Sequence, residues 1–253
     1  MSEKPLVYVI LGAAGSGRRE VLADLASEFI EDGSPSCVLL SETEKPDPFD
    51  DKLGGVTRWT WDPQGFIVAV LPAGAETIFF VTDGRMNPVD QMEALKPWID
   101  GQGAELGRIL LVVDCKLAES HPPLIAWYEA CVHFADVVLL GKREGIPNKW
   151  ISDFQARFAD LHYPCLFEFI KGGRVKNPAL ILSPVPRRMS HVFEDEQDWI
   201  IIDDVEEDED EELVEGAETE EEIEIAPAED PYFARRMGGR RVKEIPDIAK
   251  FLP

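Results

Sequence analysis

Eight residues near the start, Gly12-Ala-Ala-Gly15-Ser-Gly17-Arg18-Arg19, have the types and spacing to hold an anion. Glycines let successive backbone N–H groups turn inward, and the first turn of a following helix adds partial positive charge, so a phosphate can be cradled there. In a nucleotide-hydrolysing loop of this kind, a lysine reaches the β and γ phosphates and the next hydroxyl holds Mg²⁺. Here both positions are arginine. Arg18 still brings charge, through a planar fork that is bulkier and differently directed than an ammonium. Arg19 repels a cation and cannot ligate Mg²⁺. The anion-holding set expected from spacing is therefore Gly12, Gly15, Ser16, Gly17, Arg18 and Arg19. Two other readings stand beside it, an empty glycine-rich turn and a working Mg²⁺-dependent hydrolase.

Such a loop needs a strand before it and a helix after it. The run LVYVIL (6–11) supplies the strand, and RREVLADLASEFIEDG supplies a helical pattern with Val21, Leu22, Leu25, Phe29 and Ile30 on one face and Gly33 as a stop. Further apolar runs follow: CVLL (37–40), FIVAVL (66–71), TIFFV (77–81), RILLVV (108–113), DVVLL (136–140) and CLFEFI (165–170). They are short, rich in Val, Ile and Phe, and bounded by Gly, Pro or Asp, as strands buried on both faces are. Helical patterns lie between several of them: PVDQMEALKPWIDG, PPLIAWYEACVHFA and PNKWISDFQARFADL. This alternation predicts an α/β fold, a doubly wound, mostly parallel sheet with helices on both faces. TRWTWDPQGFIVAV interrupts it with a predicted hairpin around Asp62-Pro63-Gln64-Gly65. Trp59 and Trp61 then face one side, packed on the domain edge or presented to a partner.

The 253 residues carry a net charge of −24, unevenly spread. Residues 194–230 hold 21 acids and no Lys or Arg, whereas 231–253 hold 6 bases and 2 acids. The expected organisation is a domain over 1–193, an acidic disordered linker over 194–230, and a basic, aromatic peptide motif over 231–253. Within the linker, WIIIDDVEE (199–207) reads as a strand that adds to a partner's sheet edge, a last strand on its own domain, or a solvated spacer. Tyr232, Phe233 and the paired arginines of the last segment suggest a recognition motif for a protein partner. On that reading, removing 194–253 leaves the melting temperature nearly unchanged. The body lacks a basic face, so no nucleic-acid partner is expected. No apolar run approaches the roughly 18 residues of a membrane span, and the start has no basic region leading a long apolar stretch. Cys37, Cys115, Cys131 and Cys165 are scattered in or beside apolar segments, without CxxC or clustered histidines, so structural zinc is not expected. Buried free thiols point to a reducing compartment, the cytoplasm.

The ordered set of motifs resembles the CobW/HypB/UreG-type P-loop GTPases, a family of metallochaperone and metal-insertion GTPases, over about residues 5–170. The glycine loop matches, and FFVTDGRMNPV (79–89) is similar to the family's strand ending in Glu-x-x-Gly, with Gly84 and Pro88 in place and Val81 where the Glu stands. RILLVVDCKL supplies Val112, Val113 and Asp114, and FADVVLLGKREGIP supplies Ala135, Asp136 and Lys142 of the Asn-Lys-x-Asp segment. The resemblance implies a P-loop NTPase-like fold, GTP or GDP as ligand, and roles for Lys142 and Glu144 at the base. The departures fall on the chemistry. Gly141 replaces the Asn and Glu144 the Asp, whose extra methylene shifts a contact by about an ångström, a displacement of the size that costs about 100-fold in rate when it misplaces reacting groups. The family's Cys-rich metal motif has no counterpart in DKLGGVTRWTWDPQG. Asp83, two positions past Val81, is the one metal candidate. The resulting expectation is a nucleotide-binding protein with weak or no hydrolysis and no catalytic residues of its own, acting through a partner. An active NTPase using Arg18 and Asp83, and a scaffold that binds no nucleotide, are the alternatives.

Overall fold

The computed structural model describes residues 4–194 and 229–252. Eight strands form one sheet: β1 (Leu6–Gly12), β2 (Ser36–Ser41), β3 (Val56–Trp61), β4 (Ile67–Val68), β5 (Thr77–Val81), β6 (Glu105–Asp114), β7 (Val137–Gly141) and β8 (Leu166–Phe169). Their order is β4-β3-β2-β5-β1-β6-β7-β8, and every pair is parallel except β3 with β4. The chain runs outward on one side from β1, returns beside it as β5, and then builds the other side. The order therefore reverses at β1, and the crevice beyond the carboxyl ends of β1, β5 and β6 is where sheets of this kind place ligands.

Each strand feeds both faces, because alternate residues point oppositely. Val7, Val9 and Leu11 pack under α3 (Pro88–Gln102), α5 (Ile125–Phe134) and α6 (Asn148–Ala159), while Tyr8 and Ile10 pack under α1 (Arg18–Leu25) and α7 (Pro178–Leu182). This is the doubly wound α/β architecture with a P-loop-type turn that the sequence predicts. Two short helices complete it, α2 (Ser27–Glu31) and α4 (Cys115–Ser120).

Several elements differ in detail. The expected single helix over 18–33 breaks at Ala26 into α1 and α2, where the Ser27 hydroxyl donates to the Asp24 carbonyl at 2.7 Å, and Ile30 is left 39% exposed. The expected strand 66–71 shrinks to Ile67–Val68, an edge strand whose neighbours Phe66 and Val70 are exposed. The hairpin is present, with Trp61 opposite Ile67. Trp59 is fully buried, donates Nε1–H to the Val81 carbonyl at 2.9 Å and meets Trp61 edge-on, so its ring belongs to the core and not to a partner surface.

The last segment folds back onto the α3/α5 face. Tyr232 is buried beside His133 and Phe134, Phe233 stacks on Phe134, and Ile248 is 1% exposed. The Asp230 carboxylate accepts from Ser190 Oγ at 2.5 Å and meets His133 Nε2 at 2.8 Å. Arg241 and Arg235 pair with Asp90 and Glu93 of α3. Tyr232 and Phe233, read from sequence as recognition groups, thus have a use within the fold. The acidic run, including 199–207, falls within 195–228 and lies outside the described residues. All four cysteines are free and buried; burial pushes the Cys37 thiol up to about 11 and Cys115 and Cys165 up to about 12. Among the described residues no helix is long and apolar enough to cross a membrane.

Candidate nucleotide-binding site

The glycine loop leaves β1 and enters α1 through Gly17, whose φ of 95° is a left-handed conformation that glycine adopts without strain. The first-turn N–H groups of α1 have no acceptor inside the helix. Gly84, beyond β5, lies so close that a Cβ there would sit 2.3 Å from the Ala14 nitrogen, and its carbonyl accepts the Ala14 N–H at 2.9 Å. A glycine at position 84 is therefore a steric requirement of the loop. Around this junction opens a cavity of about 350 Å³, whose walls include Gly15, Gly17, Arg19, Thr43, Asp83 and Lys142.

Arg18 runs inside the loop, past Gly12, and is 4% exposed. Its guanidinium donates to the Thr82 carbonyl and to Oε1 of Glu44. Arg19 donates to Oε2 of the same carboxylate at 2.9 Å, to both oxygens of Asp50 at 3.0 and 3.2 Å, and to the Lys45 carbonyl at 2.7 Å. Burial pulls the Arg18 pKa down and Glu44 opposes it; an arginine begins so high that it stays charged. Burial pushes Glu44 upward, but Arg18, Arg19 and the Gly84 N–H together hold it below the ordinary carboxylate range. The pair is thus ionised.

Asp83 is 4% exposed and already engaged: Oδ2 accepts from Thr43 Oγ1 at 2.6 Å and Oδ1 from the Arg85 N–H at 2.9 Å. The Gln91 amide clamps its backbone on both sides. Lys142, with a left-handed φ of 49°, donates to the Gly15 carbonyl and to Asp114 at 2.9 Å. It braces the loop from the end of β7. Glu144 is exposed in the following turn and does not line the cavity. Ser16 Oγ is buried and has no hydrogen-bond partner among the described residues.

Of the residues expected at the site, the structure brings together Gly12, Gly15, Ser16, Gly17, Arg18, Arg19, Lys142 and Asp83, and leaves Glu144 apart. Asp136, placed by sequence at a strand start, is a clamp: its carboxylate accepts from the Ile109 and Arg187 N–H groups and pairs with Arg188. Glu44, Asp50 and Thr43 were missed. Their one sequence signal is the run of acids in SETEKPDPFDDK. The donor set fits an anion: two guanidiniums, a lysine and a helix N-terminus converge, with an unpaired buried hydroxyl in the loop. It does not fit Mg²⁺, because Arg19 stands where a ligating hydroxyl would. Among the described residues no group of three or more His, Cys, Asp or Glu side chains is placed to hold a metal.

No family model matches the chain, and no curated protein resembles it in sequence. Solved structures do resemble it. A Zn(II)-bound triple mutant of the YjiA GTPase is 13% identical, with 72% of this chain and 62% of that one covered and a TM-score of 0.48. The cell division protein FtsY from Thermotoga maritima is 19% identical, with 72% and 70% covered and a TM-score of 0.45. The hydrogenase maturation factor HypB from Archaeoglobus fulgidus is 14% identical, with 66% and 81% covered and a TM-score of 0.42. The chain spans less than two thirds of the first of these. The class, an α/β sheet with a P-loop-type turn at its switch point, rests on the strand order and the loop and not on these likenesses.

Proposed function

We propose that this chain is a nucleotide-binding protein similar to the CobW/HypB/UreG-type GTPases, with a site that holds the phosphates of GTP or GDP and hydrolyses them weakly or not at all. The carrying observation is the Arg19 guanidinium, tied to Glu44, Asp50 and the Lys45 carbonyl in the place of a magnesium ligand. Phosphates would lie on the loop N–H groups and against Arg18, whose charge is always present. Asp83 is capped by Thr43 and so is not free to act as a base for water. The reading includes action through a protein partner, which the acidic run and the exposed turn carrying Met237 between Arg236 and Arg240 would engage, and a reducing, cytoplasmic setting that suits four buried free thiols.

Thermal melting of the full chain with GTP, GDP or ATP, with and without Mg²⁺, tests this. Bound nucleotide raises Tm with the logarithm of its concentration, and the rise should persist without Mg²⁺. No shift at millimolar nucleotide would leave a scaffold. Mg²⁺-dependent turnover that Asp83→Asn abolishes would make the chain an enzyme after all.

A further inference from the structure

The Glu44 carboxylate is held as a phosphate would be. One oxygen takes Arg18 and the other takes Arg19. Both donors come from the glycine-loop helix, while the acceptor comes from the loop after β2. That loop is built to keep it there. Arg58 donates to the Ser41 and Glu44 carbonyls at 3.0 and 3.1 Å, Thr43 is fixed on Asp83, and Asp50 ties Arg19 to the Asp47 N–H. The Glu44 side chain is only 13% exposed.

In a phosphate loop, the cation at the position of Arg18 reaches the outer phosphates of a nucleotide. Here its guanidinium ends on Glu44. The cavity that remains is bounded by that contact on one part of its wall and by Gly15, Gly17 and Lys142 on another. We infer that Glu44 is a resident anion standing in for the outermost phosphate, so that the site accepts a nucleoside diphosphate and admits a triphosphate only when the 42–50 loop is expelled. This rests on the nucleotide-binding reading above. It explains why two buried guanidiniums can persist in the free protein, since an unpaired buried charge is far costlier than a paired one. It also gives the two arginines a joint purpose: each takes one oxygen of the same carboxylate.

The test compares GDP and GTP binding to the full chain and to Glu44→Ala, by calorimetry and thermal shift without Mg²⁺. The natural chain should prefer GDP by about tenfold or more, the worth of one charge-assisted hydrogen bond. In Glu44→Ala the preference should vanish or reverse, through tighter GTP binding. Glu44→Gln, which keeps the side-chain volume, gives the same readout if the alanine variant folds poorly. Acetate supplies a second measure: it should raise the Tm of Glu44→Ala by returning a carboxylate to the two arginines, and leave the natural chain unmoved. Equal affinity for GDP and GTP in the natural chain, unchanged by either substitution, overturns the inference and leaves nucleotide binding standing. Binding of neither nucleotide to any of the three proteins overturns both.

Discussion

Two regions of the molecule are closed by pairs of arginines on pairs of acids, and they do different work. At the glycine loop, Arg18 and Arg19 meet Glu44 and Asp50 with 4–19% of each side chain exposed. At the C-terminal segment, Arg235 and Arg241 meet Asp90 and Glu93, whose side chains are 52% and 40% exposed; Arg235 is 46% exposed and Arg241 9%. The chemistry is the same and the surroundings decide its weight. An enclosed pair cannot lose one member without stranding a charge, whereas water replaces either member of an exposed pair at little cost. Arg235 therefore adds little, and Arg241, enclosed on its own side only, is not the sole anchor of the second region. What holds it is apolar: Tyr232 and Ile248 in the core, Phe233 on Phe134, with Asp230 bonded to Ser190 and His133 at the entry.

The largest effect should come from removing residues 229–253. Tyr232 and Ile248 each bury a large side chain, worth about 1.5–3 kcal/mol apiece. Their loss with the Asp230 contacts amounts to about 5 kcal/mol, or a fall in Tm of about 10 °C or more by calorimetry. This reverses the expectation drawn from sequence for these residues. An unchanged Tm would mean that the apolar contacts of Tyr232, Phe233 and Ile248 do not hold the segment to the domain.

That reversal marks where the sequence stops being legible. The fold was readable because burial on both faces writes itself as continuous apolar runs, as in LVYVIL, TIFFV and RILLVV, and because glycines at 12, 15 and 17 can serve only a tight turn. FIVAVL was overread, since an apolar run does not say whether a second sheet neighbour exists, and β4 has none. At the site, the arginines were legible by position and their partners were not. Glu44 lies 25 and 26 residues from Arg19 and Arg18. Only the placing of β2 next to β5, itself beside β1, brings them together, and a loop rich in acid and proline reads locally as solvated. Likewise, Tyr232 is separated from Phe134 by the whole acidic run, so its docking has no periodic signature.

The next effect in size is at the loop. Glu44→Gln takes the carboxylate from the enclosed Arg18 guanidinium, while Arg19 keeps Asp50, and should cost about 3 kcal/mol at neutral pH, measured by urea unfolding. Its pH dependence gives the sharper reading. The native Glu44 pKa lies below its unfolded value, so the carboxylate contributes fully above the unfolded pKa and loses its contribution as pH falls through the native one. The gap between natural chain and variant should therefore narrow on acidification below the ordinary carboxylate range. A gap that stays constant would show that the cost comes from packing and not from charge.

The smallest effect completes the contrast. Arg235 is 46% exposed in its pair with Glu93, and Arg241 already reaches the same carboxylate at 2.5 Å. Arg235→Ala should change stability by no more than about 0.5 kcal/mol, and less still in high salt, where exposed pairs are screened. A loss comparable to that of Glu44→Gln would break the distinction between the two regions: the C-terminal segment would then be charge-latched, and its attachment would respond to salt and to acidic competitors. A negligible loss leaves the aromatic and apolar contacts as the anchor, with the exposed turn that carries Met237 free to meet another protein.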